Sequence, residues 1–179
     1  MPAARASARK PRPAIRRDRR PAPPRTEVRR LLDLFDRAWS GPAWHGPAVE
    51  EALAGVTAAE AAARPVPRAH TIGELVLHMA TWKRAVASRL RGVPCAPSDR
   101  ENFPPFEARD WKRARMRLAA EHRSLRAAIL ELEPAGLAQP AVPGGSPRYL
   151  QAHGIAQHDL WHAGQIMILR RALERSRRG

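Results

Sequence analysis

The sequence predicts an all-α protein, a four-helix bundle that follows a basic N-terminal tail. Strand-like alternation of apolar and polar residues is nearly absent from the 179 residues, whereas apolar residues recur with helical spacing in four long segments. Helix-start signals and breaks rich in proline or glycine separate these segments. Because each amphipathic helix must bury its apolar stripe, packing the four against one another is the economical solution.

The first 25 residues are predicted to form a disordered basic tail, and residues 26–179 the bundle domain. The tail contains nine Lys and Arg residues and one acidic residue, Asp18, so it carries more than half of the chain's net charge of +15. A segment with few apolar side chains and strong self-repulsion does not fold by itself. Such a tail could bind nucleic acid by neutralising phosphates, but it has no aromatic side chain to stack on bases. A solvated extension is the alternative.

The first long helix is predicted from about Thr26 to the break at Ser40-Gly41-Pro42, because proline cannot continue a helix. A shorter turn is expected over residues 47–53. The apolar side chains of the first helix form one stripe, which predicts that this helix packs against a core. They are Leu31, Leu32, Leu34, Phe35, Ala38 and Trp39.

Two capping boxes mark further helix starts, Thr57-Ala-Ala-Glu60 and Thr71-Ile-Gly-Glu74. In this motif the threonine hydroxyl and the glutamate carboxylate each accept a hydrogen bond from a free backbone amide of the first turn. The second box opens a long helix over residues 71–91. Its inward positions are Ile72, Leu75, Val76, Met79, Val86 and Leu90.

Two more long helices follow proline-rich breaks. Residues 92–106 are rich in proline and polar side chains and are predicted to be a loop. The third long helix is expected over residues 107–133, and a second break over residues 134–147 precedes the fourth, residues 149–175. The inward positions of the third helix are Leu118, Leu125, Ile129 and Leu132.

The fourth helix carries two histidines four residues apart, His158 and His162. Both belong to a helically spaced inward stripe that comprises Ile155, His158, His162, Gln165, Ile166 and Leu169. Buried imidazoles need partners, because an unsatisfied buried polar group costs about 1–3 kcal/mol. One shared metal ion would satisfy one nitrogen of each ring. Hydrogen bonds to neighbouring side chains are the alternative.

This histidine pair differs from a zincin-type protease motif and needs a third ligand. The zincin motif has glutamate directly after its first histidine as general base, whereas this chain has the shorter Asp159. Zinc normally takes at least three protein ligands. His78, at the border of the second helix's stripe and one turn before Trp82, and His122, within the third helix's stripe, are almost equal candidates from the pattern. His70 is expected in a loop that lines the same end of the bundle, and His45 and His153 are expected to be surface or packing residues.

The single cysteine, Cys95, excludes an intramolecular disulfide and a four-cysteine zinc site. No apolar run of about 18 residues occurs, and no apolar segment follows the N-terminal charges, which argues against membrane spanning and secretion. The expected location is the cytoplasm.

Three stretches resemble the DinB/YfiT-like family of four-helix-bundle proteins. They are Trp44-His-Gly-Pro-Ala-Val-Glu-Glu-Ala-Leu53, His70-Thr-Ile-Gly-Glu-Leu-Val-Leu-His78 and His158-Asp-Leu-Trp-His-Ala-Gly-Gln165. The resemblance covers the chain from about residue 26 to residue 175. The family has a histidine in its second helix and a His-x-x-x-His pair in its last helix, which jointly hold a divalent metal. The resemblance therefore implies that the ligands are His78, His158 and His162, and it decides against His122.

The resemblance also implies a function for such a site. Relatives include metal-dependent transferases that use low-molecular-weight thiols, and a related group performs thiol-dependent isomerisation. A metal ion held by three neutral histidines keeps its full charge, which can lower the pKa of bound water to about 7 or activate a thiol as thiolate. We therefore expect a metal-dependent thiol transferase or hydrolase that acts on a small molecule. The lone Cys95 is consistent with a thiol that arrives as cosubstrate.

The sequence leaves several points open. Zinc and nickel are the expected metals, and iron or manganese are alternatives. No general base is identified, because Glu74 is explained as a cap, Asp159 as a carboxylate behind the ligands or at the surface, and Gln165 as a group that orients water or packs beside the site. A homodimer is open as well. The competing hypotheses are a non-enzymatic metal-stabilised bundle and a nucleic-acid-binding module that uses residues 1–25.

Overall fold

The computed structural model describes residues 26–44 and 46–176, and its regular elements in these ranges are helices, which confirms the all-α prediction. The predicted tail and His45 lie outside the described residues. The helices are α1 Glu27–Ser40, α2 Val49–Leu53, α3 Ala58–Ala62, α4 Ile72–Leu90, α5 Asp99–Asn102, α6 Trp111–Leu130 and α7 Arg148–Ser176. Two single 3-10 turns complete the set, Ala108–Asp110 and Pro134–Gly136.

The four long helices α1, α4, α6 and α7 form a closed bundle, because α1 and α4 each contact both α6 and α7. Two apolar clusters fill it. Phe35 of α1, Leu125 of α6 and Ile155 of α7 belong to one cluster, and the other joins side chains of α4, α6 and α7 such as Val76 and Ile166. Seven polar residues are also buried inside the described bundle: Thr71, His78, Thr81, Lys83, His122, Asp159 and His162.

The capping boxes predicted at the starts of α3 and α4 are both present. At α4 the Thr71 amide donates to Glu74 Oε2 over 2.8 Å, and the Glu74 amide donates to Thr71 Oγ1 over 3.1 Å. The Thr57 and Glu60 pair makes the same two bonds at α3. These reciprocal bonds fix where α4 begins, and its apolar stripe, packed against α6 and α7, sets which face points inward.

The connection after α4 contains a helix where the sequence predicts only a loop. The four-residue helix α5 begins with a third capping box, in which Ser98 and Glu101 exchange backbone and side-chain hydrogen bonds. The ring of Phe106 then packs directly on the backbone of α4, and a Cβ at Gly73 would lie 2.2 Å from it. The third long helix also begins later than predicted, at Trp111, because residues 108–110 form a 3-10 turn.

No helix among the described residues is both long and apolar enough to cross a lipid bilayer.

Candidate metal centre

Three histidines from two helices converge on one point of the bundle. His78 comes from α4, and His158 and His162 come from successive turns of α7. Nε2 of His158 lies 3.0 Å from Nε2 of His78 and 3.1 Å from Nε2 of His162. His78 and His162 are buried and His158 is half-buried. The structure thus brings together the three residues predicted as ligands, and their binding of a metal stays a prediction.

The outer nitrogens of two of these rings are held by hydrogen bonds. His78 Nδ1 donates to the backbone carbonyl of Asn102 over 2.9 Å, and His162 Nδ1 donates to Gln165 Oε1 over 2.6 Å. Because both partners are acceptors, each neutral ring carries its proton on Nδ1 and presents a lone pair at Nε2. This is the tautomer that a metal ligand requires, and the arrangement of an outer hydrogen bond is typical of metal-bound histidine.

A count of protons shows that three neutral rings hold too few protons for their short contacts. The lone pairs of His78 and His162 both face His158 Nε2, which in a neutral ring has at most one proton to give. One of the two short contacts therefore joins two lone pairs. The buried Nδ1 of His158 has no partner in the described part of the chain. A cation shared by the three Nε2 atoms removes this repulsion.

The spacing of the nitrogens also suits a metal ion. Two nitrogens bound to one zinc at about 2.0–2.1 Å lie roughly 2.9–3.4 Å apart for bond angles between 90° and tetrahedral. The separations of 3.0 and 3.1 Å from His158 Nε2 to the Nε2 atoms of His78 and His162 fall in this interval, and the ligand atoms of all three residues lie within 4.8 Å of one another. The donor set therefore fits a divalent ion in its protonation and in the two distances from His158.

Burial keeps the three imidazoles neutral. It lowers the pKa of His158 to about 3, with further lowering by the charges of His162, His78 and Lys83 when they are protonated. It lowers the pKa of His162 to about 4, and it moves the pKa of His78 in the same direction. Neutral imidazole is the ligand form, so the cluster is ready for a metal at physiological pH.

The connection between α4 and α6 closes the site on the side of His78. The ring of Phe103 is stacked between His78, at a centroid distance of 4.1 Å, and His70, at 3.7 Å. Trp82 donates its indole N–H to Asn102 Oδ1 over 2.8 Å and is half-buried beside the cluster. Sequence reasoning missed the roles of Asn102 and Phe103. The signal that could have found them is the Ser98-Asp-Arg-Glu101 capping box just before them.

The two carboxylates near the ligands in sequence, Glu74 and Asp159, both interact with other groups. Glu74 accepts from the Thr71 amide and from the Arg64 guanidinium over 2.8 Å, so its explanation as a cap is sufficient. Asp159 is fully buried and forms an ion pair with Lys83. The sequence leaves two positions for Asp159, behind the ligands or at the surface, and the surface position is therefore wrong. It points away from solvent because it is rotated about 100° from His158 into the bundle interior.

His122, the alternative third ligand, belongs to a different cluster. Its ring is stacked between Phe35, at 4.4 Å, and Trp39, at 4.1 Å. Its Nδ1 lies 3.4 Å from Lys83 Nζ. His122 therefore faces the buried Lys83–Asp159 pair and is separate from the group of three histidines.

Acidification is expected to destabilise the metal-free protein from about pH 6.5 downward. Burial lowers the pKa of His122 to about 2, and His158 and His162 are also held below their ordinary pKa. In the unfolded chain these groups take up protons near pH 6.5, so the unfolded state binds more protons below that pH. Stability is fully present above pH 6.5 and is lost as the pH falls towards 4, by about 1 kcal/mol per pH unit for each buried histidine.

Urea unfolding of the metal-free protein at pH 7.5 and 5.5 measures this loss. His122→Phe keeps the stacking between Phe35 and Trp39 and removes one of the four histidines whose pKa is lowered by burial, so it is expected to reduce the pH dependence by roughly a quarter. A free energy of unfolding that is equal at the two pH values would contradict the burial of neutral histidines.

Comparisons with known proteins agree with this architecture. The family model described as the DinB superfamily matches residues 43–166, a span that includes all three histidines of the cluster. A comparison with curated proteins found no match. Among solved structures, the chain is similar to one described as the conserved protein of locus from Enterococcus faecalis. The two share 18% sequence identity and a TM-score of 0.63 over 82% of this chain and 96% of that chain, a likeness that shows the fold alone. With its helical bundle and a family match over more than half of its length, the chain belongs to the DinB superfamily.

Proposed function

We propose that this chain is a metal-dependent enzyme in which His78, His158 and His162 hold one divalent ion. The observation that carries the proposal is the convergence of three Nε2 atoms whose neighbouring hydrogen bonds leave too few protons for their contacts. Three neutral nitrogen donors favour zinc or nickel, and iron or manganese are the alternatives. We also propose a small-molecule substrate and a cytoplasmic location, and a homodimer is one assembly that the proposal allows.

The number of ligands favours a catalytic site over a structural one. Structural zinc is usually bound by four protein ligands, whereas catalytic zinc is bound by three and keeps an open position. The group that could hold an ion in the described part of the chain has three members. A metal-stabilised bundle without activity is the competing class, and it would need a fourth ligand.

When bound, the ion would supply a Lewis-acidic position at which water or a thiol loses its proton near neutral pH. The chain's own residues would orient the ligands. Asn102 fixes the ring of His78 and Gln165 fixes that of His162. Phe103 and Trp82 shield the His78 side from water. Because Glu74 and Asp159 are both engaged in other interactions, the proposal assigns no carboxylate base.

Cobalt substitution tests both the open position and the nucleophile. Protein purified without an affinity tag and loaded with Co²⁺ is expected to develop an intense near-ultraviolet charge-transfer band when 2-mercaptoethanol is added, since thiolate ligation produces such a band and water ligation does not. If azide changes the spectrum and the thiol does not, a water-activating hydrolase replaces the thiol transferase. If neither ligand changes it, the site is closed and the enzyme proposal fails.

The tail is proposed to be dispensable for the bundle. Deletion of residues 1–25 is expected to leave helical content, melting temperature and metal content unchanged, because described residues between Val28 and Leu169 already form two apolar clusters and the tail has few apolar side chains to add. Circular dichroism and metal analysis of the two proteins measure this. A large fall in melting temperature would contradict it. Nucleic-acid binding that is lost with the tail and weakens steeply with salt would instead support the binding-module hypothesis.

A further inference from the structure

We infer that a cavity beside the three histidines binds a small, uncharged, mainly apolar molecule of about the size of a substituted ring. The apolar cavity lies between the connection that precedes α4, the start of α4 and the second half of α7. Its walls include Ala69, Leu75, Ile168 and Leu169, and its polar groups are His70 and Gln165. The binding of this molecule to the cavity does not depend on the proposed function. Its role as the substrate rests on the proposed function.

The polar wall of the apolar cavity adjoins the histidine cluster. Gln165 is hydrogen-bonded to His162 through its Oε1. His70 lies on one face of Phe103, and His78 lies on the other. Gln165 therefore contacts the proposed ligand His162 directly. The ring of Phe103 separates His70 from the proposed ligand His78. A molecule held in the cavity would lie next to the centre where we propose that a nucleophile forms.

The volume of the cavity limits the size of its ligand. The cavity measures about 210 Å³, and an apolar protein cavity of about 150 Å³ is enough to bind benzene. The additional space suits a ring that carries a short substituent. A nucleotide or an extended peptide is too large.

The lining determines the charge of the ligand. No Asp, Glu, Lys or Arg is among the described residues that line the cavity. The charges closest to its lining, Arg64 and Glu74, form an ion pair with each other, so a charged ligand would lose hydration without gaining an unpaired counter-ion. Because Gln165 Oε1 already accepts from His162, the amide N–H groups of Gln165 are the donors it can offer to a ligand. The preferred ligand therefore carries a neutral acceptor such as a carbonyl oxygen.

An exposed apolar side chain at the cavity supports the same conclusion. Ile168 lines the cavity and is 63% exposed. A bound ring would cover this surface and remove apolar area from water, which favours binding. Two further wall residues, Leu75 and Leu169, are buried, so the cavity has an apolar floor and an open side.

Binding of benzamide to the full-length chain tests this inference. Benzamide has a ring and a neutral carbonyl, and benzoate has the same size with a negative charge. Titrations followed by protein NMR are done on metal-free protein and on zinc-loaded protein. We expect benzamide to bind metal-free protein at least tenfold more tightly than benzoate. Ala69→Phe, which fills the cavity, is expected to weaken benzamide at least tenfold, and Ile168→Ser severalfold.

A matched control separates the cavity from general surface effects. Leu150 is an apolar residue of the same helix with 51% exposure, and Leu150→Ser is expected to leave benzamide affinity unchanged. Ile168→Ser keeps the test valid if Ala69→Phe does not fold. The inference is overturned if benzamide does not bind to the unaltered protein. It is also overturned if both cavity variants bind benzamide as tightly as the unaltered protein does. Benzamide binding without zinc binding would defeat the proposed function alone, and zinc binding without benzamide binding would defeat this inference alone.

Discussion

Asp159→Leu is expected to lower the free energy of unfolding by about 3–5 kcal/mol, because it leaves a buried lysine without its counter-ion. Lys83 and Asp159 form an ion pair in which both side chains are 0% exposed. Burial lowers the pKa of Lys83 and raises that of Asp159, and their mutual attraction opposes both shifts. Losing one partner removes this attraction and keeps the cost of burial. Chemical denaturation at neutral pH measures the loss.

The double variant is the control for this prediction. Lys83→Met alone is expected to cost a similar amount, because it isolates the Asp159 carboxylate, whose Oδ1 already has no partner in the described structure. The combination of Lys83→Met with Asp159→Leu replaces both charges by apolar side chains and is expected to recover most of the stability. Single variants that lose less than about 1 kcal/mol would show that water reaches the pair.

His158→Ala is expected to reduce zinc affinity by more than about 100-fold. His158 is the central member of the cluster, since its Nε2 lies 3.0 and 3.1 Å from those of the two other histidines. Loss of residues that merely orient metal ligands already costs about 10–100-fold in affinity, so the loss of the central ligand is expected to exceed this. Competition with a chromophoric zinc chelator, on protein without an affinity tag, measures the change.

Two histidine variants outside the cluster complete this experiment. His153→Ala alters the same helix at a position near Glu27 and is expected to keep full zinc affinity. His122→Ala is expected to lower stability, because the ring is buried between two aromatic side chains, and to leave zinc affinity unchanged. Loss of zinc on replacing His122 would move the third ligand to α6. Full zinc occupancy in the Ala variants of His78, His158 and His162 would refute the assignment.

The bundle could be predicted from the sequence because its signals are local. Apolar spacing within each long helix and the two Thr-x-x-Glu boxes identified α1, α4, α6 and α7 to within a few residues at most ends. The spacing of His158 and His162 also placed both on one face of α7 without knowledge of the fold. By contrast, α5 has four residues, which is too short for a periodic pattern.

The rest of the site depends on contacts between distant parts of the chain. His78 and His122 both lie near inward stripes, so the apolar pattern does not separate them. The family resemblance favours His78, and the packing of α4 against α7 brings His78, and not the stacked ring of His122, to the pair on α7. Lys83 was not predicted to be buried, because a lysine within a helix normally belongs to a solvated face. Its partner Asp159 is 76 positions away in the sequence, and no local pattern joins such a pair.

The segment that holds His78 in place supplies none of the three histidines. Asn102 and Phe103 belong to the connection between α4 and α6, yet they contact His78 through one hydrogen bond and one stacked ring. If the contacts of this connection with His78 strengthen metal binding, then metal binding stabilises the ordered form of the connection by the same free energy, because such coupling is reciprocal. Loading the ion would therefore slow proteolytic cleavage and amide hydrogen exchange in residues 98–106. The stability of this connection would then measure whether the three histidines hold an ion.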